Sequence, residues 1–207
     1  WDVAIVVDYG KILPQSLIEI PKKGFLNIHP SLLPRFRGAS PMRSAILHDE
    51  KETGVSIILL DQKMDHGPLV AQKRVTIQNW PVRNSELENI LLPLGGALLA
   101  QMLTAYVAGD IEPVEQNHDV ATYTEKFTKE DGELDLKGDS YQNLLKICSF
   151  EGWPGTYSYV ERSGKKIRVA ILAAHMQGNS LVIDTVKPEG KKEMPYEEFL
   201  RSGAKPI

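Results

Sequence analysis

The chain has 207 residues, 42% of them apolar and 25% charged, fractions ordinary for a soluble globular protein with a core of useful size. Its net charge of −3 excludes a global field that draws the chain to nucleic acid, so any such binding needs a local patch. The single cysteine, Cys148, excludes an internal disulfide and fits a reducing compartment; within LLKICSF it reads as a buried core thiol rather than a nucleophile.

No apolar run approaches the ~18 residues of a membrane span, and no signal-peptide pattern opens the chain. Residue 1 is Trp, already inside a strand pattern, so the sequence reads as a piece of a longer chain or a truncated product. Val3 to Val7 is a continuous apolar run, the pattern of a strand buried on both faces. LPQSLIEI predicts a short helix, and Phe25 to Ile28 a second strand. PMRSAILH, residues 41 to 48, predicts a helix with Ser40 at the cap and Pro41 in the first turn. Val55 to Leu60 predicts a third buried strand, completing an α/β alternation expected to form a mostly parallel sheet. Leu69 to Ile77 reads as an antiparallel edge strand. Residues 84 to 108 are helical in spacing, with Pro93 expected to kink or break the run.

The character then changes. Residues 111 to 138 are charged and poor in apolar side chains, and read as a linker that still touches the first domain. SYQNLLKICSF predicts a helix capped by Asp139 or Ser140. Short β-rich runs separated by SG, QGN and PEG turns follow, and predict a small β-barrel. The expected organisation is an α/β portion over 1–110, a linker over 111–138 and a barrel domain over 139–207.

One constellation carries chemistry. Asn27 and His29 are two apart in a strand pattern and leave the same face. They fall at a strand's C-terminal end, where open α/β sheets bind ligands. Asp65 follows the next strand in a Gly-bearing turn, MDHGP, expected at the same end of the sheet. Asn27 can donate to a tetrahedral oxyanion. His29 can take a proton, and Asp65 can orient it and favour its charged form. His29 is therefore expected to titrate near neutrality. A metal is not expected, because His29, Asp65 and His66 lack a tight ligand spacing.

LNIHPSLLPRFRGASP, with ETGVSIILLDQKMDHGPLVAQ after it, closely resembles the formyltransferases that use 10-formyltetrahydrofolate. The resemblance covers nearly the whole chain. It implies a partial Rossmann-like catalytic domain followed by an OB-like β-barrel. It matches Asn27, His29 and Asp65 to the family's catalytic residues. Ser31, Leu32, Leu33 and Pro34 match its folate-contacting turn, and Gly10, Lys11, Ile12 and Leu13 match a stretch bordering the pterin pocket. ATYTEKFTKEDGELDL and WPGTYSYV resemble the tRNA-specific branch, implying the initiator methionyl-tRNA as acceptor and a monomer in the bacterial cytoplasm or an organellar matrix. A sugar-amine formyltransferase or formyltetrahydrofolate hydrolase of the same fold, and a non-catalytic tRNA-binding remnant, stay open as alternatives.

Two residues depart from the family pattern: Asp8 where a small residue is usual, and His66 beside Asp65 where Thr is common. The resemblance also implies a further βαβαβ half of roughly 80 residues before this point, built from ~30-residue units. Its absence predicts an exposed sheet edge at the first strand. For tRNA phosphates the basic candidates are Arg35, Arg37 and Arg43, which follow the active turn, and Lys165, Lys166 and Arg168 in the barrel. From residue 155 onward, 9 Lys and Arg face 6 Asp and Glu. Trp153, Tyr157 and Tyr159 could stack on bases, with core packing as the more frequent use of such residues.

Overall fold

The computed structural model describes residues 1–11, 13–162 and 164–206. It divides into two units. The first comprises Trp1–Ala45, Glu50–Trp80 and Glu86–Lys126; the second comprises Ile46–Asp49, Pro81–Ser85 and Phe127–Ile207.

The first unit is built on a four-stranded sheet of β1 (Ala4–Val7), β2 (Phe25–His29), β3 (Glu52–Leu59) and β4 (Leu69–Thr76), in that spatial order. A short helix, α1 (Gln15–Ile18), connects β1 to β2, and those two strands are parallel. The expected mostly parallel sheet is corrected from there on: β3 is antiparallel to β2, and β4 is antiparallel to β3. Six consecutive residues of β3 are buried, as the sequence suggested. A strand covered on both faces carries the same apolar run whichever way it points, so the pattern could not give direction.

Two longer helices follow α1 in the chain: α2 (Pro41–Leu47) begins on Pro41, and α3 (Asn84–Ala108) runs unbroken through Pro93. The expected break is absent. One missing amide bond, worth about 3 kcal/mol in a helix interior, is outweighed by a buried side formed by Leu87, Leu91, Leu99, Met102 and Tyr106. Gly95 faces the sheet, where an added Cβ would sit 2.6 Å from Ile28 Cγ2 and 3.1 Å from Val55 Cγ1. Only glycine lets the helix lie this close. In length and composition α3 also meets the requirement for crossing a membrane, with a mean hydropathy of 1.7, contrary to the sequence expectation. Its buried side packs on protein.

β1 forms an edge, with Ile5 and Val7 exposed on it. Residues 111–126 run along the first unit. Val114 and Leu69 exchange both backbone hydrogen bonds, at 2.7 and 2.8 Å.

In the second unit α4 (Ser140–Ser149) is capped by Asp139, whose carboxylate accepts from the Gln142 amide at 2.8 Å. A five-stranded sheet follows, formed by β5 (Thr156–Arg162), β6 (Lys165–Gln177), β7 (Ser180–Pro188), β8 (Met194–Pro195) and β9 (Lys205–Pro206), in the order β8-β7-β6-β5-β9. All its pairings are antiparallel. The short helix α5 (Tyr196–Arg201) places Phe199 in a core with Leu134, Ile147, Val160, Val169, Ile171 and Val186. Cys148 is buried and forms no disulfide, as expected.

Candidate active site

Strand alternation places Leu26 and Ile28 in the core and leaves Asn27 and His29 together on the other face of β2. Asp65 meets both: Oδ1 lies 3.5 Å from Asn27 Nδ2 and 3.6 Å from His29 Nδ1. The expected convergence holds, but its route is different. Because β3 is antiparallel to β2, the end of β3 lies beside the start of β2, with Leu59 opposite Leu26. Asp65 reaches His29 only because the loop 61–68 doubles back. That return demands glycine at 67, where a Cβ would lie 1.8 Å from the Leu59 carbonyl oxygen. Asp65 itself adopts a left-handed φ of 48°.

The turn after β2 supplies the rest of the frame. The Gly38 amide donates to Asp65 Oδ2 at 2.7 Å. Gly38 has φ 112°, and an added Cβ would sit 2.6 Å from Thr124 Oγ1. The Phe36 carbonyl accepts from His29 Nε2 at 3.0 Å, which assigns the imidazole proton to Nε2 and leaves the Nδ1 lone pair toward Asp65. His29 is 4% exposed. Burial pushes its pKa below the ordinary value; Asp65 and the Phe36 carbonyl act in the opposite direction, and Arg37 adds to the lowering. The sequence expectation of a titration near neutrality is corrected accordingly. Desolvation prevails over the carboxylate, and the resting ring is neutral.

Ser31 and Leu33 are buried and face inward. The Ser31 hydroxyl donates to the Arg35 carbonyl at 2.7 Å, and Ser56 Oγ donates to the Ser31 carbonyl at 2.7 Å. Ser56 Oγ also accepts from the Leu33 amide, and Gln72 Nε2 donates to the Leu33 carbonyl, both at 3.0 Å. Leu32 and Pro34 are half-buried, while Gly10 and Lys11 are exposed and Leu13 is half-buried. Ile12 lies outside the described residues. A recess of about 350 Å³ is lined by Gln15, Ile18, Leu60, Asp61, Lys63 and His66. A larger one, about 600 Å³, lies in the second unit beside the Arg83–Glu151 ion pair, and none of Asn27, His29 and Asp65 is among its described lining residues. Volume therefore does not locate the chemistry here.

The basic cluster after the turn is dispersed in three ways. Arg37, expected to face phosphate, is 1% exposed and turned inward. It donates through Nε and Nη2 to Gln116 Oε1 at 3.2 and 2.6 Å, and through Nη1 to the Tyr123 hydroxyl at 3.2 Å. Its Nη2 also lies 2.8 Å from His118 Nδ1. A charge this fully enclosed cannot meet a phosphate without unfolding its surroundings. Arg35 pairs with Glu50, and Arg43 is half-buried. Lys165, Lys166 and Arg168 are exposed on β6, with Lys166 over the Tyr159 ring at 4.0 Å and Arg168 over the Tyr157 ring at 3.7 Å. Trp153, for which core packing was the more frequent alternative, is 53% exposed. Asp8 is exposed, with φ 49°. His66 bonds Asp61 at 2.6 Å and stacks on His118, ring centroids 4.0 Å apart. Sequence reading missed Ser56, Gln72 and Gln116. The first two sit in strand patterns and the third in a charged linker, so no local signal marked them.

An amide, an imidazole and a carboxylate thus meet beside β2, residue types that general chemistry can use in acyl transfer. The profile of the family described as formyl transferase matches residues 1–103 and so includes all three side chains. A methionyl-tRNA formyltransferase from Myxococcus xanthus is 35% identical over 97% of this chain and 70% of its own length. The chain belongs to the methionyl-tRNA formyltransferase family. Among solved structures, the methionyl-tRNA formyltransferase from Clostridium thermocellum superposes with a TM-score of 0.68 at 20% identity, over 90% of this chain and 77% of its own. HypX from Aquifex aeolicus in complex with tetrahydrofolic acid superposes with a TM-score of 0.74 at 18% identity. That match covers 96% of this chain and 38% of HypX. These two likenesses concern the fold.

Proposed function

We propose that this chain transfers the formyl group of 10-formyltetrahydrofolate to the amino group of methionyl-tRNA, with Asn27, His29 and Asp65 as the reacting centre. The observation that carries it is the meeting of Asp65 with both Asn27 and His29, 3.5 and 3.6 Å away. The amine of the acceptor attacks the formyl carbon, a C–N bond forms, and the carbonyl becomes an oxyanion. The contact of Asn27 Nδ2 to Asp65 is long, 3.5 Å, so the amide turns to the oxyanion at little cost. His29 Nδ1 takes the proton of the attacking nitrogen. Asp65, with Oδ1 3.6 Å from Nδ1, then stabilises the charge of the imidazolium. Collapse of the oxyanion breaks the bond from the formyl carbon to the folate nitrogen, which receives the proton, releasing tetrahydrofolate and the formylated amine.

The turn Ser31–Pro34, with Gly10, Lys11 and Leu13, forms the folate-side walls in this reading. Ser31 and Leu33 hold the turn from within, leaving Leu32 and Pro34 to the ligand. The residues up to 110 act as the catalytic portion, 111–138 as the connection and 139–207 as an OB-like barrel for the tRNA, with Lys165, Lys166 and Arg168 on its backbone contact. The register shifts of β6 between Ile171 and Ala174 support the curl a barrel needs. Bacterial relatives support a cytoplasmic setting, and the reading takes the chain as a monomer.

The test is formyl transfer from the same donor to two acceptors, methionyl-tRNA and an aminated sugar nucleotide. Transfer to methionyl-tRNA that falls by about 10²-fold or more in Asn27→Ala and His29→Ala is the expected result. Formylation of the sugar nucleotide alone, or equal rates in parent and variants, overturns the reading.

A further inference from the structure

Behind Asp65 lies a buried amide that the proposed chemistry does not use. Gln116 is almost fully enclosed. Its Oε1 accepts two hydrogen bonds from Arg37, which fixes which end of the amide is oxygen. The Nε2 end then donates to the carbonyls of Asp65, at 2.9 Å, and Gly67, at 2.7 Å. All four hydrogen-bonding positions of the amide are thereby filled. Arg37 is held in turn by Tyr123 and His118 and by its own backbone bonds to Thr122 and Thr124. A chain of contacts therefore runs from the turn after β2, through Gln116, to the carbonyl of Asp65, the residue that faces His29, and to that of Gly67 two residues on.

We propose that Gln116, locked by the buried guanidinium of Arg37, is the positioning residue that holds the Asp65 loop so that its carboxylate reaches His29 and Asn27. The loop needs such a clamp. It doubles back against the strand direction, and Asp65 stands in a left-handed conformation that is strained for a non-glycine residue. A carboxylate displaced by about 1 Å loses much of its effect on the reaction. Arg37 serves this purpose as a buried donor, which accounts for its placement away from solvent. The inference rests on the reading of Asp65 as part of the reacting centre.

The experiment compares the parent chain with Gln116→Glu, Gln116→Asn, Asp65→Asn and the Gln116→Glu/Asp65→Asn double variant. Glu keeps the acceptor that Arg37 requires and removes the donor that the loop requires. Asn keeps the amide but shortens its reach, and serves if the Glu variant fails to fold. In the transfer assay, Gln116→Glu is expected to lower kcat by about tenfold or more, with KM for donor and acceptor within about threefold. The double variant is expected to match Asp65→Asn alone, because Gln116 acts only through Asp65. A second readout is independent of turnover. The Gly38 amide donates to Asp65 Oδ2, so its hydrogen exchange reports the position of the carboxylate. Exchange at Gly38 is expected to speed up in either Gln116 variant, toward its rate in Asp65→Ala. Parent-like exchange at Gly38 in a folded Gln116 variant overturns the proposal, as does a double variant whose losses add. An active Asp65→Asn chain with Gly38 exchange accelerated in the Gln116 variants overturns the catalytic reading instead and leaves the clamp standing.

Discussion

Arginine and lysine have opposite uses in two regions of this chain. Around β2 and residues 116–124, Arg37 is enclosed and its donors are spent on Gln116, Tyr123 and His118. On β5 and β6, Lys166 and Arg168 lie over tyrosine rings and stay exposed. A buried cation is fixed in one geometry because any unsatisfied donor is expensive out of water. An exposed cation on an aromatic face keeps its charge available at a cost below about 1 kcal/mol. The first region holds a geometry, and the second leaves its charge exposed. Residue type alone did not separate them.

The sharpest way to break this contrast is at His29. His29→Ala is expected to reduce formyl transfer by about 10²–10⁴-fold, measured as kcat with both substrates saturating. Retention of most activity would show that the enclosed geometry serves the fold alone. Asn27→Ala comes next, with an expected loss of about 10²–10³-fold in kcat for one oxyanion donor.

Acid pH probes the same enclosure. His29 in the folded chain lies below its ordinary value, so as pH falls the unfolded chain binds the proton first. Stability is complete above the unfolded value, near 6.5, and is lost as pH falls from there through the folded value. Thermal unfolding between pH 7 and 5 should show this slope in the parent and a flatter one in His29→Gln. The acid limb of kcat should likewise lie below the usual histidine range. A limb at or above it would mean that the ring is solvated during turnover.

Gly67→Ala sets a new Cβ against the Leu59 carbonyl, and is expected to destabilise the first unit by about 1–3 kcal/mol through forced backbone movement. Denaturant unfolding measures this. The smallest effect belongs to the second region. Lys166→Ala or Arg168→Ala should weaken tRNA binding modestly and lower the slope of log K against log salt by about 1. An unchanged slope would place the phosphate contacts elsewhere.

Much of this was legible in the sequence. The alternation that puts Asn27 and His29 on one face, the cap at Asp139 and the start of α2 at Pro41 depend on bonds and side chains a few residues apart. Local chemistry therefore determined them. The direction of β3, the unbroken course of α3 through Pro93, the return of the 61–68 loop and the inward turn of Arg37 were decided only in the folded chain. Each depends on partners far along the sequence: Gly67 against Leu59, Gly95 against Ile28, and Arg37 against Gln116, 79 residues away. The same holds for the protonation of His29. Its neighbouring carboxylate was visible in the sequence, but the desolvation that outweighs it exists only once the tertiary structure has excluded water.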